Sequence, residues 1–190
     1  MLIRSLATLA CTALFATAGF AQSAAPMQDH MSGMSAPSSK PLLSPAATAQ
    51  VRLDGKNIVI HYNAPSLRGR KMIGGEDPYG KVWRTGANPA TTLITKANLK
   101  IGTLDVPAGT YTIYTLPSPD TWLLIINKQT GQWGTEYHED RDLGRTPMKN
   151  NTLPTSQEKM SISFENAKGN TAQLHIKWDK ADEYVTVTAE

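Results

Sequence analysis

From residue 49 onward the chain reads as short β-rich runs cut by turn signals, and no segment sustains helical spacing. That pattern most constrains the fold. Ala49–Leu53 and Lys56–Asn63 flank Asp54-Gly55, the dipeptide that most strongly specifies a two-residue hairpin. Period-two alternation puts Val51 and Leu53 inward on one arm and Ile58, Ile60 and Tyr62 inward on the other. Val59 and His61 share the opposite face. Further strands are predicted at Thr91–Thr95, Asn98–Ile101, Leu104–Val106 and Thr110–Leu116. Trp122–Asn127 contains WLLII, apolar on both faces, as a central strand requires. Met160–Phe164, Ala172–Trp178 and Tyr184–Thr188 close the chain, with 150–158 read as a polar connection. This spacing predicts an all-β fold: a two-sheet antiparallel sandwich, jelly-roll-like, of about nine strands.

The first 21 residues stand apart. Arg4 precedes an apolar run, Leu6–Phe15, and Gly19-Phe20-Ala21 offers small residues for cleavage before Gln22. This predicts a secretory signal peptide and a periplasmic or secreted product. The only cysteine, Cys11, falls inside that run, so the exported chain has no thiol and no disulfide staple. Core burial must then hold the fold together. The net charge of +3 falls by one when Arg4 is removed, and the charges that remain are interleaved in sign. That is no footprint for nucleic acid. After the signal, no segment approaches the length of a membrane span. Residues 22–48, rich in Met, Ala, Ser and Pro, read as a flexible leader before a single domain at 49–190. Met27, His30, Met31 and Met34 in this leader are soft donors suited to copper(I), or else simply scattered through a disordered segment.

The densest chemistry lies at 68–92, RGRKMIGGEDPYGKVWRTGANPATT. Glycine and proline break it too often for a regular element, so it reads as a long ordered loop over a rigid scaffold. Arg68, Arg70 and Arg84 offer planar forks for anionic or hydroxyl groups. Thr85 and Asn88 are placed to orient a ligand, and Tyr79 and Trp83 to wall it. The competing reading is structural. Such a loop must satisfy its own backbone groups, and Trp83 can plug the core.

Several ordered motifs resemble one bacterial family. They are SLRGR at 66–70, YGKVWRTGANPATT at 79–92, VPAGTYTIYTLP at 106–117, INKQTGQWGT at 126–135 and DLGRT at 142–146. Together they are similar to domain of unknown function 2911, from about residue 50 to the C-terminus. The resemblance implies a secreted or periplasmic β-rich domain and brings no catalytic residues with it. The Met-rich leader lies outside it.

A second cluster, Glu136-Tyr137-His138-Glu139-Asp140, puts a carboxylate and an imidazole on one side of an extended chain. Glu136 and His138 would suit a metal-assisted hydrolase if His61 or His175 supplied a third group; otherwise the run is a solvated turn. HExxH, GxSxG and phosphate-loop patterns are missing from the chain. The favoured expectation is an exported module binding a small molecule or glycan, anionic or polyhydroxyl, at the 68–92 loop. The segment 132–146 is its expected neighbour. A hydrolase and a copper-handling protein are the alternatives.

Overall fold

The computed structural model describes residues 43–190. The signal segment, the Met27/His30/Met31/Met34 cluster and most of the expected leader lie outside the described residues. Among the described residues ten strands form two antiparallel sheets. In chain order they are β1 (Ala46–Leu53), β2 (Lys56–Asn63), β3 (Thr91–Thr95), β4 (Leu99–Ile101), β5 (Leu104–Val106), β6 (Gly109–Leu116), β7 (Leu123–Asn127), β8 (Asp142–Pro147), β9 (Lys149–Lys168) and β10 (Thr171–Ala189). One sheet runs β1-β2-β3-β6-β7-β8 and the other β5-β4-β10-β9. The chain lays three strands in the first sheet, two in the second, three in the first and two in the second.

Local chemistry sets the register. Asp54 and Gly55 both take positive φ (45° and 76°), the geometry of a hairpin turn whose twist matches its strands. Leu53 then faces Lys56, and Ala46 faces Asn63. With that register Ile58, Ile60 and Tyr62 are buried, as the alternation predicts. Ile113, Leu124 and Ile126 join them from the first sheet; Leu99, Ile101, Leu174, Ile176 and Val187 answer from the second. At the far edge, Thr146 of β8 accepts from the backbone N–H of Thr103 in the β4–β5 turn (3.0 Å). Gly102 makes this approach possible, since a Cβ there would lie 2.3 Å from Thr146 Oγ1.

The WLLII run is covered on both sides. Leu124 and Ile126 enter the core, while Ile125 and Tyr114 are buried beneath the segment 128–141. Tyr114 donates to the Glu136 carbonyl (2.9 Å), and Gln132 Nε2 donates to Thr112 Oγ1 (3.2 Å) and Tyr114 Oη (3.1 Å).

Three features differ from the sequence expectation. The first strand starts at Ala46, inside the expected leader. The polar stretch 150–158 is the outer half of β9, an edge strand whose exposed face is polar, as edges tend to be. The two expected C-terminal strands are one bent strand, β10. Asp179 takes φ 51°, and register shifts between Lys177 and Ala181 bulge the ladder without ending it. Across the bend His175 Nδ1 meets Asp182 Oδ1 at 2.6 Å, and Tyr184 stacks on the imidazole at 4.9 Å.

One end of the core is closed by three tryptophans. Trp83 stacks on Trp178 (5.5 Å, 15°) and meets Trp122 edge-on (6.0 Å, 90°). Trp178→Ala would remove the stacking face and leave a cavity. Urea unfolding should show a loss of about 3–5 kcal/mol.

Candidate functional site

The loop between β2 and β3 is irregular but tied down. Ser66 bridges to Lys159 in β9, the Leu67 N–H reaches the Glu158 carbonyl (2.9 Å), and the Arg68 N–H reaches the Glu158 carboxylate (2.8 Å). Farther on, Trp83 exchanges backbone hydrogen bonds with Thr115 of β6 (2.7 and 3.0 Å). The Gly134 N–H donates to the Asn88 carbonyl (3.0 Å), and the Ala90 N–H to the Gln132 carbonyl (3.2 Å). A Cβ on Gly134 would lie 2.8 Å from Arg84 Cδ, so this glycine lets the arginine stem lie flat on the neighbouring segment.

Held this way, the loop walls a cavity of about 360 Å³. Five of the seven candidate loop residues line it: Arg68, Arg70, Trp83, Arg84 and Asn88. They are not equivalent. Arg70 is a clasp: Nε donates to the Leu67 carbonyl (2.9 Å), Nη2 to the Ser66 carbonyl (3.0 Å) and Nη1 to Glu76 Oε2 (3.1 Å). Arg68 donates Nη2 to the Leu43 carbonyl at 2.5 Å. Arg84 uses only Nε, on the Gly86 carbonyl (3.2 Å). Among the described residues its two terminal nitrogens and the Asn88 side-chain amide make no hydrogen bond. Trp83 is 4% exposed and forms the floor with Trp178. A smaller depression of about 210 Å³ shares Asp77, Trp83 and Arg84 as its wall, with Gly134 and Tyr137 opposite.

Asp77, which the sequence did not single out, lines both spaces. Burial pushes its carboxyl above the usual carboxylate range; Arg84 opposes this, Glu76 adds to it and Arg70 opposes it. The cavity wall therefore offers acceptor and donor side by side. The sequence signal for Asp77 was only its place in the turn before Pro78.

Two candidates lie elsewhere. Thr85 is fully buried, and its hydroxyl bonds to Thr115 Oγ1 (3.1 Å) and the Trp83 carbonyl (3.3 Å). It stabilises the turn and drops out of the ligand-orienting set. Tyr79 is 45% exposed but lies over Gly74, where a Cβ would sit 2.5 Å from the ring, and lines a different depression.

The run Glu136–Asp140 is a largely exposed turn ending in a short 3-10 segment, as the solvated-turn reading expects. Strand β8 follows it, and Arg145 gathers Asp142 (3.0 Å), Tyr137 (2.8 Å) and Glu139 (2.7 Å). Burial and the Asp142 hydrogen bond push the Tyr137 phenol well above its ordinary range. Glu136 and His138 are both exposed. His138 borders an open depression of about 750 Å³ with Lys128, Gln129, Asp140 and Arg141; Glu136 is not part of that lining. Among the described residues no group of three or more His, Cys, Asp or Glu is arranged to hold a metal. His61 pairs with Thr48 and His175 with Asp182.

A further acid lies outside every sequence candidate. Glu183 of β10 is completely buried. Its Oε1 accepts from Asn150 Nδ2 (2.5 Å), while Oε2 has no hydrogen-bond partner. Burial raises its carboxyl to about 7, with the Asn150 bond opposing and Asp182 adding to the rise.

An antiparallel β-sandwich with a loop-walled polar cavity is the class these features define. A model of the family described as protein of unknown function (DUF2911) matches residues 44–187, and the chain belongs to that family. Comparison with curated proteins and with solved structures gives no match. No helix of the described residues is long and apolar enough to cross a membrane.

Two expected outcomes follow from the geometry. Because the folded carboxyl of Glu183 titrates near 7 and an unfolded one near 4.5, its stabilising contribution is complete below about 4.5. It is lost as pH rises through 7, a swing on the order of 3 kcal/mol. Thermal melts at stepped pH should show this decline, and Glu183→Gln should flatten it. Arg70→Ala should cost about 1–2 kcal/mol in urea unfolding through its two carbonyl bonds.

Proposed function

We propose that the chain is an exported binding module whose cavity beside Arg84 holds a small anionic or polyhydroxyl molecule. One observation carries the reading. The terminal nitrogens of Arg84 and the amide of Asn88 have no hydrogen-bond partner among the described residues, yet both residues line the same 360 Å³ space as the half-buried Asp77. Donors that face a cavity without a partner in the protein are free to be accepted by a bound molecule in place of water. The polyhydroxyl option is favoured over the anionic one. Arg68 and Arg70 already serve internal acceptors, which leaves Arg84 beside Asp77, and a hydroxyl can both accept from Arg84 and donate to Asp77. Export rests on the N-terminal signal pattern at residues 1–21.

Calorimetric titration with sodium phosphate, sodium sulfate and a panel of mono- and disaccharides tests this. A saccharide should bind, and Arg84→Ala should weaken it at least tenfold, the effect of losing a charge-assisted hydrogen bond of roughly 1.5–3 kcal/mol. The melting temperature should move by no more than about 2 °C, because the guanidinium makes one internal bond only. A large fall in melting temperature would instead make Arg84 a structural clasp.

A further inference from the structure

Arg84 stands between two spaces. It lines the cavity of about 360 Å³ and the depression of about 210 Å³, and Asp77 and Trp83 line both with it. Pockets that hold small molecules run from about 300 to 1,000 Å³. The depression alone falls below that range, and the cavity sits near its lower end. A shared wall joins them into one surface with two ends.

That wall is open. Burial raises the Asp77 carboxyl and Arg84 opposes the rise, so the two groups are near enough to feel each other. Yet the only side-chain hydrogen bond of Arg84 goes to the Gly86 carbonyl (3.2 Å). Guanidinium and carboxyl face the same region without closing on each other. Both side chains are part-buried rather than sealed, so a bound molecule can reach them. A single hydroxyl oxygen can accept from the one and donate to the other. With one cation and one acid on the shared wall, a neutral polar ligand matches it better than an ion of either sign.

The depression adds a different chemistry. Tyr137 lines it with Val82 and Thr135. The Tyr137 hydroxyl donates to Asp142 Oδ2 (2.7 Å) and accepts from Arg145 Nη2 (2.8 Å), and Tyr114 meets the ring edge-on (5.0 Å, 68°). With its hydroxyl engaged and its ring held, Tyr137 contributes carbon surface, as Val82 does. Thr135 is exposed. Among the described residues its hydroxyl makes no hydrogen bond. Carbon surface beside one free hydroxyl suits the C–H face and the edge hydroxyls of a sugar ring.

We propose that the cavity and the depression are two subsites for one neutral disaccharide unit, with one ring at Arg84 and Asn88, the next against Tyr137, and their junction crossing the Asp77–Arg84 wall. This rests on the reading of the Arg84 cavity as a polyhydroxyl site and extends it to the length of the ligand.

Calorimetric and amide NMR titrations with methyl glucoside, methyl galactoside and methyl mannoside, each against the corresponding disaccharides (maltose, cellobiose, lactose and mannobiose), test this. N-acetyl-alanyl-alanine amide serves as a peptide arm. At least one disaccharide should bind about tenfold or more tighter than its methyl monosaccharide, because the second ring is tethered to the first. It should shift the amides of Val82, Thr135 and Tyr137 as well as those of Arg84 and Asn88, whereas the monosaccharide should shift only the latter pair. Thr135→Trp, which fills the depression from an exposed position, should bring the ratio of the two affinities close to one, and Tyr137→Leu should do the same. Should Tyr137→Leu fail to fold, Thr135→Trp decides alone. If monosaccharides bind and depend on Arg84 but no disaccharide gains, the two-subsite inference is overturned while the reading of the cavity stands. If no saccharide binds, both are overturned. A gain that survives these variants, or a peptide that moves the same amides where no saccharide does, also overturns the inference.

Discussion

The stack of Trp83 on Trp178 is the contact on which the polar end of this molecule depends. The loop between β2 and β3 has no regular structure of its own to hold it. It is fixed because Ala64, Leu67 and Trp83 are part of the core, Trp83 the largest of them, and the loop backbone bridges to β6 and β9. The consequences run outward residue by residue. With Trp83 pointing in and its backbone extended along Thr115, the next side chain must point away from the core. Arg84 therefore emerges at the cavity rim. Thr85 turns back inward at φ 51°, buries its hydroxyl against Thr115, and leaves Arg84 without a polar neighbour on that side. A guanidinium held only through Nε, beside a buried threonine, is thus one consequence of the anchored indole.

Much of the scaffold was legible in the sequence because it depends on local pattern. Asp54-Gly55 fixes a turn, alternation fixes which residues of β2 are buried, and WLLII announces a strand covered on both faces. The misreadings share a cause. The outer half of β9 and strand β8 are polar because they are edges, and polar composition reads as loop when the partner strand is not visible. The bend in β10 was hidden the same way. DKADEY looks like a connection, yet Asp179 in a left-handed conformation lets the ladder continue around the corner.

The site was legible in part, for similar reasons. Residue type gathered Arg68, Arg70, Trp83, Arg84 and Asn88 into one window, and the fold puts all five on one cavity. Type could not separate Arg70, held by three internal acceptors, from Arg84, held by one. Nor could it say that Tyr79, four residues before Trp83, lines a different depression. That division depends on how the loop threads between two spaces, a tertiary fact with no local signature. Asp77 and Glu183 were missed because an acid in a charge-rich stretch is ordinarily solvated, and only three-dimensional packing reveals the exceptions.

Glu183 is the clearest case, and its burial has a traceable origin. His175 sits between Leu174 and Ile176, both in the core, so its own side chain faces out of the sheet. The bulged bend carries Asp182 back to that imidazole, where the 2.6 Å contact and the Tyr184 stack hold it. With Asp182 drawn to the outer side, strand alternation turns its neighbour inward. The carboxyl of Glu183 then meets Asn150 with one oxygen unanswered. A hydrogen-bonded His175–Asp182 contact that closes a corner of the scaffold on one face thereby leaves a buried carboxyl on the other. Nothing in the residue order DEY distinguishes the two carboxylates; the bend alone decides which one meets the imidazole and which one turns inward.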